Sequence, residues 1–439
     1  MGYVFPVPWP YALGIDVGVA HTVAAICQLD GPHPGERAAA RPIRLKRGGG
    51  EDPHAGASIA GASVIDRVGD AVPIIWEDTA YAAHELVAAL IVRLAGQLAA
   101  ARGAAEQVVV THPPAWGPYR LDLLHQALHA EGLANVVLVP EPVAAAVGIA
   151  TRHRLDGDTL AVYDLGEGSA RATVLRANGA GFEILGRPAA AAQPAGADFD
   201  DVLISLLTGN EPARRWEEMA RLRGECAVGK RALSTRAEIT VPPGNARVTR
   251  ASFEEAILPD VQRGVEVLLR AIAGADTGPD QLAAIALVGG SARIPLVRKV
   301  IGERLRRPVL VDDAPETTTA VGAATIAAGL VRARGDQAAA MERTGPLARL
   351  TAPTVIDGPG EPAPDQPPAR PPVKVGAPAV DGVAKSKTRR ADRAMTIRGT
   401  ILGGIIALLL AAGTWLVQQH FFGPSTPPPV TTSNGTGHR

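Results

Sequence analysis

No disulfide or thiolate framework organises this chain. Its two cysteines, Cys27 and Cys226, lie far apart, and no CxxC or Cys/His spacing accompanies them. Both are expected as reduced, buried thiols of a cytosolic domain. Charge of one sign is missing too: Lys and Arg number 44 and Asp and Glu 44. That balance removes any bulk electrostatic pull toward nucleic acid, and no nucleic-acid partner is expected. Aromatic residues are few, while Ala, Gly and Pro abound. The N-terminal segment, residues 1–10, carries Pro6, Pro8 and Pro10 and no basic stretch before an apolar run. It does not read as a signal peptide, so the first half of the chain is expected to stay in the cytosol. No GxxxxGK[ST] loop occurs, which excludes a Walker-type phosphate site.

What is present is an alternation of apolar runs and helical patterns over residues 11–333. Strands are predicted at Tyr11–Ile15, Thr22–Leu29, Gln107–Thr111, Val136–Val139, Leu160–Tyr163, Ala172–Leu175, Glu238–Val241, Ile285–Val288 and Val309–Val311. Helices are predicted at Ala80–Ala101, Tyr119–Glu131, Pro142–Thr151, Arg214–Leu233, Ser252–Ala273, Ile294–Arg306 and Thr317–Ala333. Strands followed by long helices argue for an α/β architecture with mainly parallel sheet. The segments at 14–29 and 160–175 instead read as hairpins. A mixed sheet that begins with a hairpin, present twice, implies two related lobes with a cleft between them.

Residues 334–395 lose the pattern. Pro359-Gly360-Glu361-Pro362 and the proline run at 367–372 cannot pack a core and read as a disordered linker. Ile397–Val417 then carries one charge, Arg398 at its start, and none from Gly399 onward. As a helix it spans about 30 Å, the hydrocarbon thickness of a bilayer. Trp415, Phe421 and Phe422 lie toward one end, and Lys385, Lys387, Arg389, Arg390, Arg393 and Arg398 crowd the other. By the positive-inside rule the N-terminal domain is cytoplasmic and residues 418–439 form a short outer tail. A single-pass protein of the cell membrane is expected.

Two segments, Gly14-Ile15-Asp16-Val17-Gly18 and Tyr163-Asp164-Leu165-Gly166-Glu167-Gly168, look like copies of one device. Each is an apolar run, an aspartate, and a glycine turn whose N–H groups could meet an anion. Glu141 follows a strand and precedes Pro142, well placed at a helix start, either as a cap or as a carboxylate aimed into a cleft. Lys230 and Ser234 share one helix face. Leu287-Val288-Gly289-Gly290-Ser291-Ala292-Arg293-Ile294-Pro295 runs from a strand into a tight turn, where α/β sheets bind ligands.

Taken in order, these motifs resemble the nucleotide-binding domain of Hsp70 chaperones, in a superfamily with actin and sugar kinases. Pro140-Glu141-Pro142, Asp198-Phe199-Asp200, Lys230-Arg231-Ala232-Leu233-Ser234 and Val288-Gly289-Gly290-Ser291-Ala292-Arg293-Ile294-Pro295 carry the likeness, which covers about residues 11–333. The resemblance implies a two-lobed, actin-like (ribonuclease H-like) ATPase fold that binds ATP or ADP with Mg²⁺. Carried over, Gly18, Gly166, Gly168, Ser169 and Gly196 would surround the phosphates. Asp16 and Asp164 would hold Mg²⁺ through waters, and Glu141 would sit near the attacking water. Lys230, Arg231 and Ser234 would line the adenosine pocket. Gly289, Gly290, Ser291 and Arg293 would close it, with Glu316 in place of the family's aspartate near the adenine.

Departures cluster in the same turns. Val19 and Ala20 stand where the family has two threonines, and Glu167 places negative charge near the phosphates. Arg171 replaces an acidic residue of the metal shell, and Ala227 replaces a glutamate. The stretch between Ala71 and Tyr81 holds no lysine to serve as the family's catalytic one. Hydrolysis is therefore expected to be weak or absent. Beyond residue 333 no β-rich peptide-binding domain is expected. The leading expectation is a membrane-anchored, nucleotide-dependent switch that presents a surface to an unknown protein partner. Two rivals stay open. One is a slow ATPase or small-molecule kinase. The other is a scaffold without nucleotide, its phosphate site filled by a Glu167–Arg171 salt bridge.

Overall fold

The computed structural model describes residues 9–19, 21–29, 40–43, 58–59, 62–76, 79–179, 181–209, 216–241 and 246–344. Two five-stranded sheets follow one plan. The first has the order β3-β2-β1-β4-β5, with β1 Tyr11–Val17, β2 Thr22–Gln28, β3 Arg41–Ile43, β4 Gln107–His112 and β5 Val136–Pro140. The second has the order β8-β7-β6-β9-β10, with β6 Thr159–Leu165, β7 Ala170–Ala177, β8 Phe182–Ala191, β9 Ala284–Val288 and β10 Val309–Leu310. In each, an antiparallel three-strand meander joins two parallel strands. The innermost strands are buried on both faces, which is why β1 and β6 read as near-continuous apolar runs.

Each lobe has its own core. Helices α1 Ala83–Arg102 and α2 Pro118–Ala130 bring Leu86, Ile91, Leu124 and Leu128 onto Leu13 and Ile15. Among the described residues α1 is the one helix long and apolar enough to cross a membrane, but here half of that stretch is buried in this core. In the second lobe α6 Arg250–Gly274 and α7 Pro295–Leu305 bring Phe253, Leu268 and Ile301 onto Tyr163, Ile285 and Leu287. The lobes are joined by an exchange. Helix α3 Glu141–Ala150 leaves the first sheet, yet Ala145, Ala146 and Ile149 pack on Leu160 and Val162 of the second. Helix α8 Thr318–Thr344 leaves the second sheet and packs Ala320, Ala323, Ala324 and Ala327 on Ala12, Ala25 and Val109 of the first. The two helices cross at backbone contact, since a methyl on Gly322 would collide with Ala144 O, and one on Gly148 with Thr318 O. Beside the crossing, the buried Asp312 carboxylate accepts from Arg152 (2.6 Å), His153 (3.0 Å) and Thr318 Oγ1 (2.7 Å).

Several elements depart from the sequence reading, among them the short strands β3 and Ala246–Thr249. Strand β8 and the helix α4 Gly196–Thr208 were not expected. Helix α8 continues to Thr344 instead of stopping at Ala333, because Ala, Arg, Gln, Met and Glu dominate 332–343 and favour helix. The rest of the expected linker, the apolar span Ile397–Val417 and the tail 418–439 lie outside the described residues, as do residues 1–8.

Candidate nucleotide cleft

The two glycine turns are equivalent in detail. Gly18 N donates to His21 O at 3.1 Å, and Gly166 N to Ser169 O at 3.1 Å. Both turns follow strands that have a parallel neighbour, so Asp16 and Asp164 emerge at carboxyl ends, where such sheets place ligands. The register of β1 on β4 also brings Thr111 to Asp16, and Thr111 Oγ1 donates to Asp16 Oδ1 at 2.5 Å. Across the second hairpin Arg171 lies directly opposite Asp164, so the two side chains share the cleft face. Its guanidinium reaches the first lobe: Nη1 is 3.3 Å from Glu141 Oε2, and Nη2 is 3.2 Å from Asp66 Oδ1.

Asp16, Asp66, Glu141 and Asp164 thus gather around one guanidinium. Burial pushes Glu141 up to about 8 and Asp16 up to about 6, and it raises Asp164 as well. Burial also works against the Arg171 charge, but Glu141, Asp164, Asp66 and Asp16 together outweigh it and hold the guanidinium charged. A cavity of about 20 Å³ lies between Glu141, Asp164, Arg171, Thr173 and Thr319, room for one water.

Next to this cluster, groups that could meet phosphates are occupied by the chain itself. Gly196 N donates to Gly166 O (2.8 Å) and Ala197 N to Glu167 O (2.9 Å), so the first N–H groups of α4 are capped by the second turn. Gly196 lies so close that a Cβ there would come within 2.9 Å of Gly166 O. Val19 of the first turn packs on the second, since a Cβ on Gly168 would be 3.4 Å from Val19 Cγ1. Lys230, on α5 Trp216–Leu233, is buried and donates to Gly196 O (2.5 Å) and Asp200 Oδ2 (2.9 Å). Its ammonium also lies 3.7 Å from Glu167.

One expectation is corrected by this geometry. Glu167 does not pair with Arg171: Arg171 takes the Asp164 face of the hairpin, whereas Glu167 at the turn tip meets Lys230. Lys230 itself is buried. It ties α5 to the start of α4, where Asp200 Oδ1 remains buried without a partner and burial lifts Asp200 to about 6. Of its helix companions, Ser234 Oγ donates back to Lys230 O at 3.4 Å, and Arg231 is exposed.

The β9 turn completes the cleft. Gly289 has φ 88°, and a side chain there would meet Asp164 Oδ1 at 2.5 Å, so glycine is required on both counts. Gly290 faces open space, and Ser291 is buried beside Gly196. Arg293 grips Glu316 with two bonds, Nε at 2.9 Å and Nη2 at 2.6 Å. Burial opposes the Glu316 charge, but the Arg293 bonds outweigh it and keep this carboxyl below its usual range. Sequence reasoning missed Asp66 and Thr111. Asp66 sits in a short 3₁₀ turn, Ile65–Arg67, with no motif around it, whereas Thr111 was accessible from strand register alone.

Asp16 and Asp164 are the residues that would hold Mg²⁺. As arranged they do not fit it. Mg²⁺ requires near-octahedral geometry and usually keeps several waters, whereas the cavity beside Asp164 measures about 20 Å³ and is bounded by the Arg171 guanidinium. Among the described residues no group of three or more His, Cys, Asp or Glu is placed to hold a metal ion.

A sequence model described as Hsp70 protein matches residues 63–348. A chaperone protein HscA homolog of Aeromonas hydrophila subsp. hydrophila is 32% identical over 261 residues, covering 57% of this chain and 42% of that protein. The chaperone proteins HscA of Escherichia coli O7:K1 and Shigella boydii serotype 18 are each 32% identical over 257 residues, covering 57% of this chain and 41% of theirs. The chain therefore spans about two fifths of the length of these relatives.

Proposed function

The chain belongs to the Hsp70 family, and from that membership we propose a membrane-anchored, nucleotide-responsive module that presents its two-lobed domain to a protein partner and hydrolyses ATP weakly or not at all. The observation that carries the reading is Arg171, whose guanidinium sits among Asp16, Asp66, Glu141 and Asp164. Hydrolysis of a phosphoanhydride relies on positioning and on cations that neutralise developing charge. Here the aspartates that would orient a hydrated metal face a fixed guanidinium, and no hydroxyl side chain replaces Val19. Nucleotide binding is supported by the duplicated turns, by the glycines of the β9 turn and by the open space at Gly290. Membrane anchoring rests on the apolar span Ile397–Val417, uncharged from Gly399 onward, and the basic residues up to Arg398 at its start. A chaperone role is the named role of the HscA relatives and is proposed here for this module together with its partner.

The test is thermal denaturation with ATP or ADP, alongside phosphate release. A ligand that binds only the folded state adds about 2.7 kcal/mol at a hundredfold excess over Kd, and such a shift with little phosphate release is expected. No shift with either nucleotide sinks the reading. Phosphate release that survives both Asp16→Ala and Glu141→Ala is contamination.

A scaffold that binds no nucleotide is favoured by a different observation. Val19 leaves a Cβ at Gly168 no more than van der Waals room, and the first N–H groups of α4 already serve Gly166 and Glu167. The same titration separates the two readings.

A further inference from the structure

We infer that Arg171 is the cleft's own cation. It stands in for a divalent metal and straps the second lobe to the first, so that a nucleotide binds here in its metal-free form.

The placement is set by register. Arg171 is opposite Asp164 on β7, so its side chain must leave the hairpin on the face where the acidic groups gather. It belongs to the second lobe, while Glu141 and Asp66, its ion-pair partners, belong to the first. Only 19% of the Arg171 side chain and 13% of Glu141 are exposed, so water cannot easily replace the pair. A guanidinium is a planar fork with fixed donors and stays charged under all ordinary conditions. It can therefore bridge carboxylates from two bodies much as a shared metal ion does, without being lost by dilution or chelation. The adjoining cavity of about 20 Å³ has room for one water beside the guanidinium, which already occupies the side facing Glu141 and Asp164. Lys230 cannot play this part, because its partners Asp200, Gly196 and Glu167 all lie in its own lobe.

The nucleotide half of the inference rests on the function proposed above. The metal half rests on geometry alone, and the experiment keeps them apart. The full-length protein, free of nucleotide, is melted in EDTA and across a MgCl₂ titration, as the natural chain, as Arg171→Asp and as Arg171→Lys. The natural chain should melt at the same temperature throughout, and Arg171→Lys should melt lower but stay indifferent to Mg²⁺. Arg171→Asp places a fifth carboxylate in the cluster. It should melt lower in EDTA and recover with the logarithm of Mg²⁺ concentration, as mass action requires. Should Arg171→Asp not fold, Arg171→Gln, which removes the charge and keeps a donor, is melted in its place; it should melt lower than the natural chain in EDTA, and an unchanged melting temperature overturns the inference. A natural chain stabilised by Mg²⁺, or a folded Arg171→Asp indifferent to it, overturns the inference. ADP is then titrated calorimetrically in EDTA and in Mg²⁺. Equal affinities support metal-free binding, and loss of binding in EDTA refutes it. Absence of ADP binding in both removes the nucleotide function and leaves the metal result to be judged by the melting data.

Discussion

Single side chains decide what this cleft can do. Four carboxylates share one guanidinium, so burial leaves Glu141 near 8 and Asp16 near 6. Both folded values lie above the ordinary carboxyl value of about 4. Between that value and the folded ones, the native chain binds more protons than the unfolded chain. The stability these groups contribute is therefore full at low pH and is lost as pH rises through 6 and then 8. Melting temperatures measured from pH 5 to pH 8 should fall, and Glu141→Gln should flatten the upper part of that decline. A melting temperature that rises over this range contradicts the account. Lys230 gives a second residue-level expectation. Lys230→Ala leaves Asp200 and Glu167 without their cation and should cost about 3 kcal/mol in chemical denaturation. The sequence revealed Arg171 as an odd replacement in a known motif, but not its partners. Asp66 lies 105 residues earlier in the chain, and no local pattern marks it.

Among the elements, the crossing of α3 and α8 is the most exacting contact. The two backbones touch at Gly148 and Gly322, so side-chain volume there has nowhere to go. Gly322→Ala should destabilise the fold by about 3 kcal/mol, measured by denaturant unfolding, because overpacking a tight core forces the backbone apart. Unchanged stability would mean that the helices are farther apart than described. Most strands and helices were legible because hydrophobic period and turn residues agree along the chain. Helix α4 was not. Ala195 has no side chain to cap it, and the cap comes instead from Asp198, 2.7 Å from Ala195 N, and from the turn carbonyls of Gly166 and Glu167. Those carbonyls are near only once the second sheet has formed. The end of α8 was misplaced for the opposite reason. Its last buried apolar residue among those described is Ala328, and its helix-forming composition carries the helix on to Thr344.

As a whole, the molecule is a duplicated frame with one cation, Arg171, set among the carboxylates of the cleft. The frame was readable in the two Asp-Gly hairpins, whose turns share one hydrogen-bond pattern. The exchange of α3 and α8 between lobes was not, since it depends on which sheet each helix meets rather than on either sequence. The remainder of the chain bears on where the domain works. The full-length protein is expected to sediment with membranes and resist a high-salt wash, and deletion of 397–417 should release it to the soluble fraction. Retention after that deletion would assign the anchor elsewhere. The central claim is that this cleft carries its own cation and has lost efficient hydrolysis. Its most direct measurement is phosphate release from ATP by the full-length protein, with Mg²⁺ and with EDTA, beside Glu141→Ala. The account predicts rates with Mg²⁺ no higher than with EDTA or in the variant. Mg²⁺-dependent release that Glu141→Ala abolishes would contradict it.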